Sequence, residues 1–422
     1  TPGLSSNYKL DVGTHTFNVT KKDITFSGSR VYDGTTTVSS SDLVTNDTTS
    51  GETLAFSGSG TVSSANVQNN QSITLGSIAI ADGSGGGLAS NYNLTTGTFD
   101  ISRKWVSVGG QKIYDATTTV SSSDLNVTGE VTGESISITG TGSVTDKNVG
   151  SGKTIDISGL SLSDGSHSAS NYTIGTTSFA ITPRNLSISG EKVYDGTGTV
   201  LASQIDTVNS AGGETLTISG EGSVSLPSVG TNKSITLNTL GISDGTNGTI
   251  GLASNYTLDS GTFDITTKPI TLSGSRQYDG TTDVASSDLT LIGQVSGESI
   301  SITGTGSITD KNVGAGKTIN TIGLSLADNT SNASNYSLST GTFTINNKIL
   351  SISGTRAYDG STTVSSGSIS LNGLIGSETL NKSGSVSTSS PNASTYGSAS
   401  INESLLSLSD GSNGCLLYTS DA

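Results

Sequence analysis

The sequence predicts an all-β protein built as a tandem array of small antiparallel β-sandwich units of about 80 residues each. Three observations predict it. Tyr-Asp-Gly recurs at Tyr32, Tyr194, Tyr278 and Tyr358, and as Tyr-Asp-Ala at Tyr114, so the steps are 82, 80, 84 and 80 residues. Apolar and polar residues alternate with period two, as in Ile136, Ser137 and Ile138, which is the pattern of a half-buried strand. Gly, Asn and Asp punctuate these runs, and no apolar stripe of helical period lasts longer than one turn.

Other marks keep the same step. Ser-Asn-Tyr ends at Tyr8, Tyr92, Tyr172, Tyr256 and Tyr336. A Gly-Glu pair ends at Glu52, Glu134, Glu214 and Glu298, with Gly-Ser-Glu at Glu378. From motif Tyr to motif Glu the spacing is 20 in every copy, and from that Glu to Asp82, Asp164, Asp244 or Asp328 it is 30. From that Asp to the Tyr of Ser-Asn-Tyr the spacing is 10, 8, 12 and 8, and from there to the next motif Tyr it is 22. All length variation in the full units therefore falls in one Gly-rich loop. Each unit has room for six or seven short strands, an Ig-like sandwich with its own core. The 121–125 segment, rich in Ser, has the length of one helical turn. A β-helix is the competing architecture, but no subperiod of roughly 20–30 residues occurs inside the repeat.

The phase of the marks divides the chain. Residues 1–21 are the C-terminal strands of a truncated preceding repeat. Residues 22–102, 103–182, 183–266 and 267–346 are repeats one to four, 347–414 is a truncated fifth, and 415–422 does not fit. Repeats two and four are nearly copies, as in Asp146-Lys147-Asn148-Val149-Gly150 and Asp310-Lys311-Asn312-Val313-Gly314, and one and three share Gly-Leu-Ala-Ser-Asn-Tyr, so a two-unit block was duplicated. The joints are too short to be flexible linkers, which predicts a stiff monomeric rod within a longer chain.

Composition narrows the function classes. Net charge is −15, spread without an acidic block, which opposes nucleic acid and anionic membrane surfaces as partners. No run of about 20 apolar residues exists to span a membrane. With no Met, the chain reads as an internal fragment whose export signal lies elsewhere. Cys415 is the only cysteine, so no disulfide holds the units.

The recurring residues have structural readings. Tyr-Asp-Gly is a strand end followed by a turn. Ala116 in place of Gly argues against a need for positive φ there. The recurrent Glu and Asp do not make a glycosidase pair, because a unit this small has little room for a substrate cleft. No Ser-His-Asp, Cys-His or metal set assembles from His15, His167 and Cys415, so no catalytic residue and no cofactor is expected. A weak interdomain calcium site stays open, with Asp146 and Asn148 or Asp244 and Asn247 as partial ligand sets. A self-formed Lys–Asn amide also stays open at Lys153, Lys233 and Lys317. Trp105 is expected to pack between units. The candidate interaction residues lie in the variable loop: Asp82, Gly83, Asn91 and Tyr92; Asp164, Gly165, Asn171 and Tyr172; Asp244, Gly245, Asn255 and Tyr256; Asp328, Asn335 and Tyr336.

Three blocks in fixed order carry a family resemblance. They are Ile181-Thr-Pro-Arg-Asn-Leu-Ser-Ile-Ser-Gly-Glu-Lys-Val-Tyr-Asp-Gly-Thr197, then Asp146-Lys-Asn-Val-Gly150 with Gly152-Lys-Thr154, then Ser170-Asn-Tyr-Thr173. Together they resemble the YDG-type repeat modules of large bacterial exoproteins, many described as filamentous-haemagglutinin-like adhesins. The resemblance covers about residues 1–414 and departs at Ala116, at 64–68 and at 226–230. It implies a secreted or surface-attached bacterial protein of stacked β-modules and brings no catalytic residue. The expected function is a non-enzymatic stalk fragment that spaces or presents a distal adhesive region, whose surface receptor or glycan is unknown. The alternatives are a glycan-binding array acting by avidity, which an exposed row of aromatics would favour, and an accessory region of a larger exported enzyme.

Residues 415–422 resemble one reading frame of a transposon-type sequencing adapter and are expected not to be native protein. Sequencing of intact genomic DNA should find the gene diverging from this tail, and a continuous gene encoding Cys415-Leu416-Leu417 would refute the reading.

Overall fold

The computed structural model describes residues 1–411 apart from Asp11 and Thr14, so the 415–422 tail lies outside the described residues. Strands and single 3-10 turns are the only regular elements among them, and no helix is long and apolar enough to cross a membrane.

The first repeat runs β1 (Lys22–Val31), β2 (Thr37–Ser39), β3 (Leu43–Thr45), β4 (Leu54–Ser57), β5 (Ser59–Thr61), β6 (Gln68–Ser72), β7 (Ala79–Asp82) and β8 (Tyr92–Ser102). One layer is a sheet of order β3-β1-β8-β6, and the facing strands pair as β2 with β5 and β4 with β7. Alternation puts Ile24 and Phe26 of β1 and Phe99 and Ile101 of β8 into the core. The second repeat repeats the plan with β9 (Lys104–Ile113), β10 (Thr119–Ser121), β11 (Leu125–Thr128), β12 (Ile136–Val144), β13 (Gly150–Lys153), β14 (Ile155–Asp156), β15 (Leu160–Asp164) and β16 (Tyr172–Thr182). Its sheets are β11-β9-β16-β13, and β10-β12-β14 with β15 beside β12. The helical turn expected near 121–125 is the 3-10 turn Ser122–Asp124, capped by the Ser121 side chain.

The sheets are not purely antiparallel, as the sequence reading had them. β1 and β8 pair parallel, from Lys22 opposite Tyr92 to Val31 opposite Ser102, with a bulge between Ile24 and Phe26. β9 and β16 do the same from Lys104 opposite Tyr172 to Ile113 opposite Thr182. Parallel neighbours need a long crossover, and here the whole repeat serves as one. The last strand therefore finishes at the same end as the first, and the chain passes through Arg103 alone into β9.

That continuity changes the core. One core per unit was expected, but Phe26, Val38, Phe99 and Ile101 of the first repeat share a cluster with Val106, Ile136 and Tyr172 of the second. In the fourth repeat, Leu272, Val284, Ile319 and Phe343 form the corresponding core. The chain divides into two compact bodies. One contains residues 1–186, 209–217 and 243–258, and the other contains 187–208, 218–242 and 259 onward. The division falls inside the third repeat, not between repeats.

Trp105 does not pack between repeats. It is exposed and lies over Gly175 of its own repeat, where an added Cβ would come within 2.7 Å of its ring.

The Phe of each last strand should be the costliest truncation. Phe99→Ala is expected to lower unfolding free energy by about 3–5 kcal/mol in chemical denaturation, and a loss below about 1 kcal/mol would contradict this packing.

Candidate interaction site at the repeat junction

The marks that keep step along the chain meet at one place. Glu134 follows a turn closed by its N–H donating to the Val131 carbonyl at 2.9 Å. Its Oε1 accepts from the Tyr32 hydroxyl of the preceding repeat at 2.9 Å, and its Oε2 accepts from Tyr172 of its own repeat. The Tyr172 oxygen in turn accepts from the Val131 N–H at 3.2 Å. The two rings meet edge to face, 5.4 Å between centroids and 79° between planes.

The arrangement recurs. Glu214 takes Tyr114 and Tyr256, both at 2.8 Å, and also the Lys147 ammonium at 2.6 Å. Glu298 takes Tyr194 at 2.5 Å and Tyr336 at 2.6 Å. Glu378 takes Tyr278, with Lys311 at 3.7 Å, and Glu52 takes its own Tyr92. The Tyr of Tyr-Asp-Gly thus bonds the Glu of the next repeat, about 100 residues on, and not the Glu 20 residues away.

Local chemistry aims each Tyr. The Tyr32 N–H donates to the Ser102 carbonyl at the end of the last strand, 2.9 Å away. Asp33 turns the chain by accepting from the Thr35 N–H at 2.9 Å. A basic residue two positions before each motif Tyr anchors that Asp: Arg30 to Asp33 at 3.1 Å, Lys112 to Asp115 at 2.9 Å, Lys192 to Asp195 at 2.9 Å and Arg276 to Asp279 at 3.0 Å. Lys112 is almost fully buried and also donates to the carbonyls of Thr117 and Thr119 at 3.0 and 2.6 Å. Burial pushes the Asp115 and Asp195 carboxyls up, but the Lys and Thr hydrogen bonds outweigh it and hold both below the ordinary value. Sequence reasoning missed these cations. Their signal was available as Arg30, Lys112, Lys192, Arg276 and Arg356, one per copy.

The residue after Tyr-Asp is left-handed in every copy: Gly34 at φ 79°, Gly196 at 80°, Gly280 and Gly360 at 78°, and Ala116 at 65°. The reading of Ala116 as evidence against positive φ is therefore overturned. The turn imposes the conformation, and Ala accepts the strain. The contact explains the exchange. A Cβ on Gly34 would lie 2.9 Å from Glu134 Oε1 and 3.3 Å from Val131, and a Cβ on Gly196 2.9 Å from Val295. Opposite Ala116 the next repeat carries Ala211 and Gly212 in place of Val or Ile, and a Cβ added to Gly212 would be 3.0 Å from the Ala116 methyl.

The candidate loop residues divide into two groups. Asn171 reaches the preceding repeat, accepting from the Val67 N–H and donating to the Asn66 side chain, both at 2.9 Å. Asn255 does the same with Val149 and Asn148 at 2.9 Å, and Asn335 accepts from Val229 at 2.9 Å. These three Asn are buried, as are Tyr92, Tyr172, Tyr256 and Tyr336, whereas Asn91 is exposed. Asp82, Asp164, Asp244 and Asp328 lie apart on the exposed side, with Gly83 and Gly165 exposed and Gly245 buried. Each Asp accepts from a backbone N–H across the variable stretch: Ala89 at 2.8 Å, and Ala169, Ala253 and Ala333 at 2.7 Å.

Asp146 and Asn148, one of the two ligand sets left open, are otherwise engaged. Asp146 holds Lys153 at 2.5 Å and the Asn148 N–H at 2.7 Å, while the Asn148 side chain bonds Asn255. Lys317 pairs with Asp310 at 2.8 Å. Lys153 and Lys317 are thus in ion pairs with Asp. Among the described residues, no group of three or more His, Cys, Asp or Glu is placed to hold a metal ion.

Burial, and then the hydrogen bond to Glu134, push the Tyr32 and Tyr172 phenols from 10.0 up to about 12. The same causes raise Tyr114, Tyr194, Tyr256 and Tyr336. Burial pushes Glu214 up, but bonds from Lys147, Tyr114 and Tyr256 outweigh it and leave the carboxyl below its ordinary value. The chemistry is that of a clamp, with neutral phenol donors closed on a carboxylate acceptor.

Two tests follow from this geometry. A phenol whose value is raised on folding binds its proton more tightly folded than unfolded. The junction's stability should therefore be full below pH 10 and lost as pH rises through about 12. Tyr32→Phe should cost about 1.5–3 kcal/mol at neutral pH and flatten part of that alkaline loss, read as denaturation midpoints from pH 8 to pH 12. Ala116→Gly should raise stability by about 1 kcal/mol by relieving the left-handed Ala, and a loss of stability would contradict this account.

A family model described as YDG domain matches residues 14–99, 105–179, 182–263 and 265–344. No curated protein matches the chain.

Proposed function

The chain belongs to the YDG-domain family, whose model matches it four times over well more than half its length, and from this we propose that it is a non-enzymatic stalk segment. In this reading it spaces or presents a distal adhesive region of a large secreted or surface-attached bacterial protein, of the filamentous-haemagglutinin-like kind. The receptor or glycan is met by other parts of that protein. One observation carries the proposal: the Tyr, Glu and Asn that recur in step serve contacts from one repeat to the next. A module whose repeated side chains grip its neighbour is suited to holding a string in order.

The carboxylates favour this reading over catalysis. Both oxygens of Glu134, Glu214 and Glu298 accept from phenols, so neither is left free for a reacting group. The avidity reading gains nothing from Trp105, because its counterparts are Asp23, Asn185, Pro269 and Ile349, not a row of aromatics.

Stretching single molecules of the whole chain tests the proposal. Glu134→Gln should lower the unfolding force of the repeats on either side of that junction and leave the steps of distant repeats unchanged. Hydrolysis of a glycan or peptide panel that disappears with Glu134→Gln or Glu298→Gln would overturn the non-enzymatic reading. Retention on a glycan array that is lost when the four variable loops are shortened would replace the stalk with the avidity reading.

A further inference from the structure

We propose that the junctions are graded in strength, so that the string parts first between the third and fourth repeats while the second and third stay together longest. The same Tyr, Glu and Asn close each junction, but the hydrogen bonds that cross it differ in number among the described residues. Four cross from repeat two to repeat three. Tyr114 and Lys147 donate to Glu214, the Val149 N–H donates to Asn255, and the Asn255 amide donates to Asn148. Three cross from one to two: Tyr32 to Glu134, the Val67 N–H to Asn171, and the Asn171 amide to Asn66. Two cross from three to four: Tyr194 to Glu298, and the Val229 N–H to Asn335.

Two adjacent positions make the difference. Lys147 and Asn148 of repeat two stand where repeat one has Ala65 and Asn66 and where repeat three has Pro227 and Ser228. Ala65 has no donor to send to Glu134. His167, from the same repeat as Glu134, comes only within 3.9 Å, beyond hydrogen-bond reach. Pro227 and Ser228 remove both the ammonium and the Asn side chain. Repeat four carries Lys311 and Asn312 again, and Lys311 reaches Glu378 of the next repeat at 3.7 Å. The forward-reaching cation thus follows the duplicated two-unit block: even repeats have it and odd repeats do not.

The Lys147 bond should count for more than the others. Both partners are charged, and such bonds are roughly twice as strong as neutral ones. Glu214 is buried, whereas Glu134 and Glu298 are half-buried. One term opposes the grading, because Val131 and Val295 pack at their junctions where repeat three has Ala211. Those Val side chains are themselves half-buried, so their extra methyl groups contribute less than a charge-assisted bond to a buried carboxylate.

Val67, Val149 and Val229 hold one position in successive repeats, and each N–H finds its acceptor in the repeat that follows. An amide held this way exchanges with solvent when its junction opens. Hydrogen exchange of the whole 422-residue chain, read at single amides and corrected for intrinsic rates, therefore tests the grading. Protection should fall in the order Val149, Val67, Val229, by about fivefold per step, the net worth of one hydrogen bond. Lys147→Met should bring Val149 down to about the protection of Val67 and leave Val67 and Val229 unchanged. Pro227→Lys combined with Ser228→Asn should raise Val229 at least to the protection of Val67. Order of opening is a property of the chain at rest, so these amides read it whether or not the chain serves as a stalk. Equal protection at the three amides, a Lys147→Met chain with Val149 as protected as before, or a double variant with Val229 unchanged would each overturn the proposal.

Discussion

The structure depends on a carboxylate held between two phenols that come from neighbouring repeats. A buried ionised carboxylate costs several kcal/mol unless its oxygens are matched by donors. Glu214 is 98% buried by virtue of its 2% exposure, and it is matched by Tyr114, Tyr256 and Lys147. Neither repeat can meet that demand alone. Glu134 without Tyr32 loses the donor on Oε1, and Tyr32 without Glu134 loses the acceptor for its hydroxyl. The polar junction and the shared hydrophobic cluster fall at the same place, so folding one repeat favours its neighbour. This suits a chain that is only 31% hydrophobic.

The junction also specifies who may follow whom. Repeats two and four are near copies over much of their length, yet they differ after Tyr-Asp, with Ala116 in one and Gly280 in the other. The difference follows the next repeat. Ala116 faces Ala211 and Gly212, whereas a Cβ on Gly280 would come 2.9 Å from the Ile375 side chain. An Ala at position 280 would clash with Ile375, whereas the small Ala211 and Gly212 leave room for the methyl of Ala116. The residue at this position answers to the neighbour it touches, while the rest of the repeat answers to its own core.

Period, alternation and spacing made the all-β repeat legible before any coordinates. Ile270 and Leu272, or Phe263 and Ile265, announce a buried face by period two alone. The parallel pairing was not legible, because β1 and β8 carry the same alternation whichever way they run, and only the direct passage through Arg103 hints that they end together. The junction was half legible. The constant step of Tyr, Glu and Asn marked them in every copy, but the spacing named no partner for any of them. The partner is in the next repeat, where no local pattern reveals it. Arg30 and Lys112 were overlooked for a related reason: a basic residue in an exposed-looking strand reads as solvent-facing until its carbonyl partners are known.

The variable loop gives the last link between junction and chain. Length changes fall between Asp82 and Tyr92 and at its counterparts, yet the Ser-Asn-Tyr turn that follows must deliver Asn and Tyr to fixed partners. The Asp carboxylate reconciles the two demands. It accepts from the backbone N–H of Ala89, seven residues on, of Ala169, five on, and of Ala253, nine on, with nearly the same bond length. The chain between is free to grow because the bond that closes the loop does not depend on its length, and loop closure costs little more for a few added residues. Freedom is not complete, since a Cβ on Gly83 would come 2.0 Å from the Thr53 carbonyl oxygen and the loop base lies flat on that backbone. Insertion is tolerated beyond this base because the clamp isolates the junction from it.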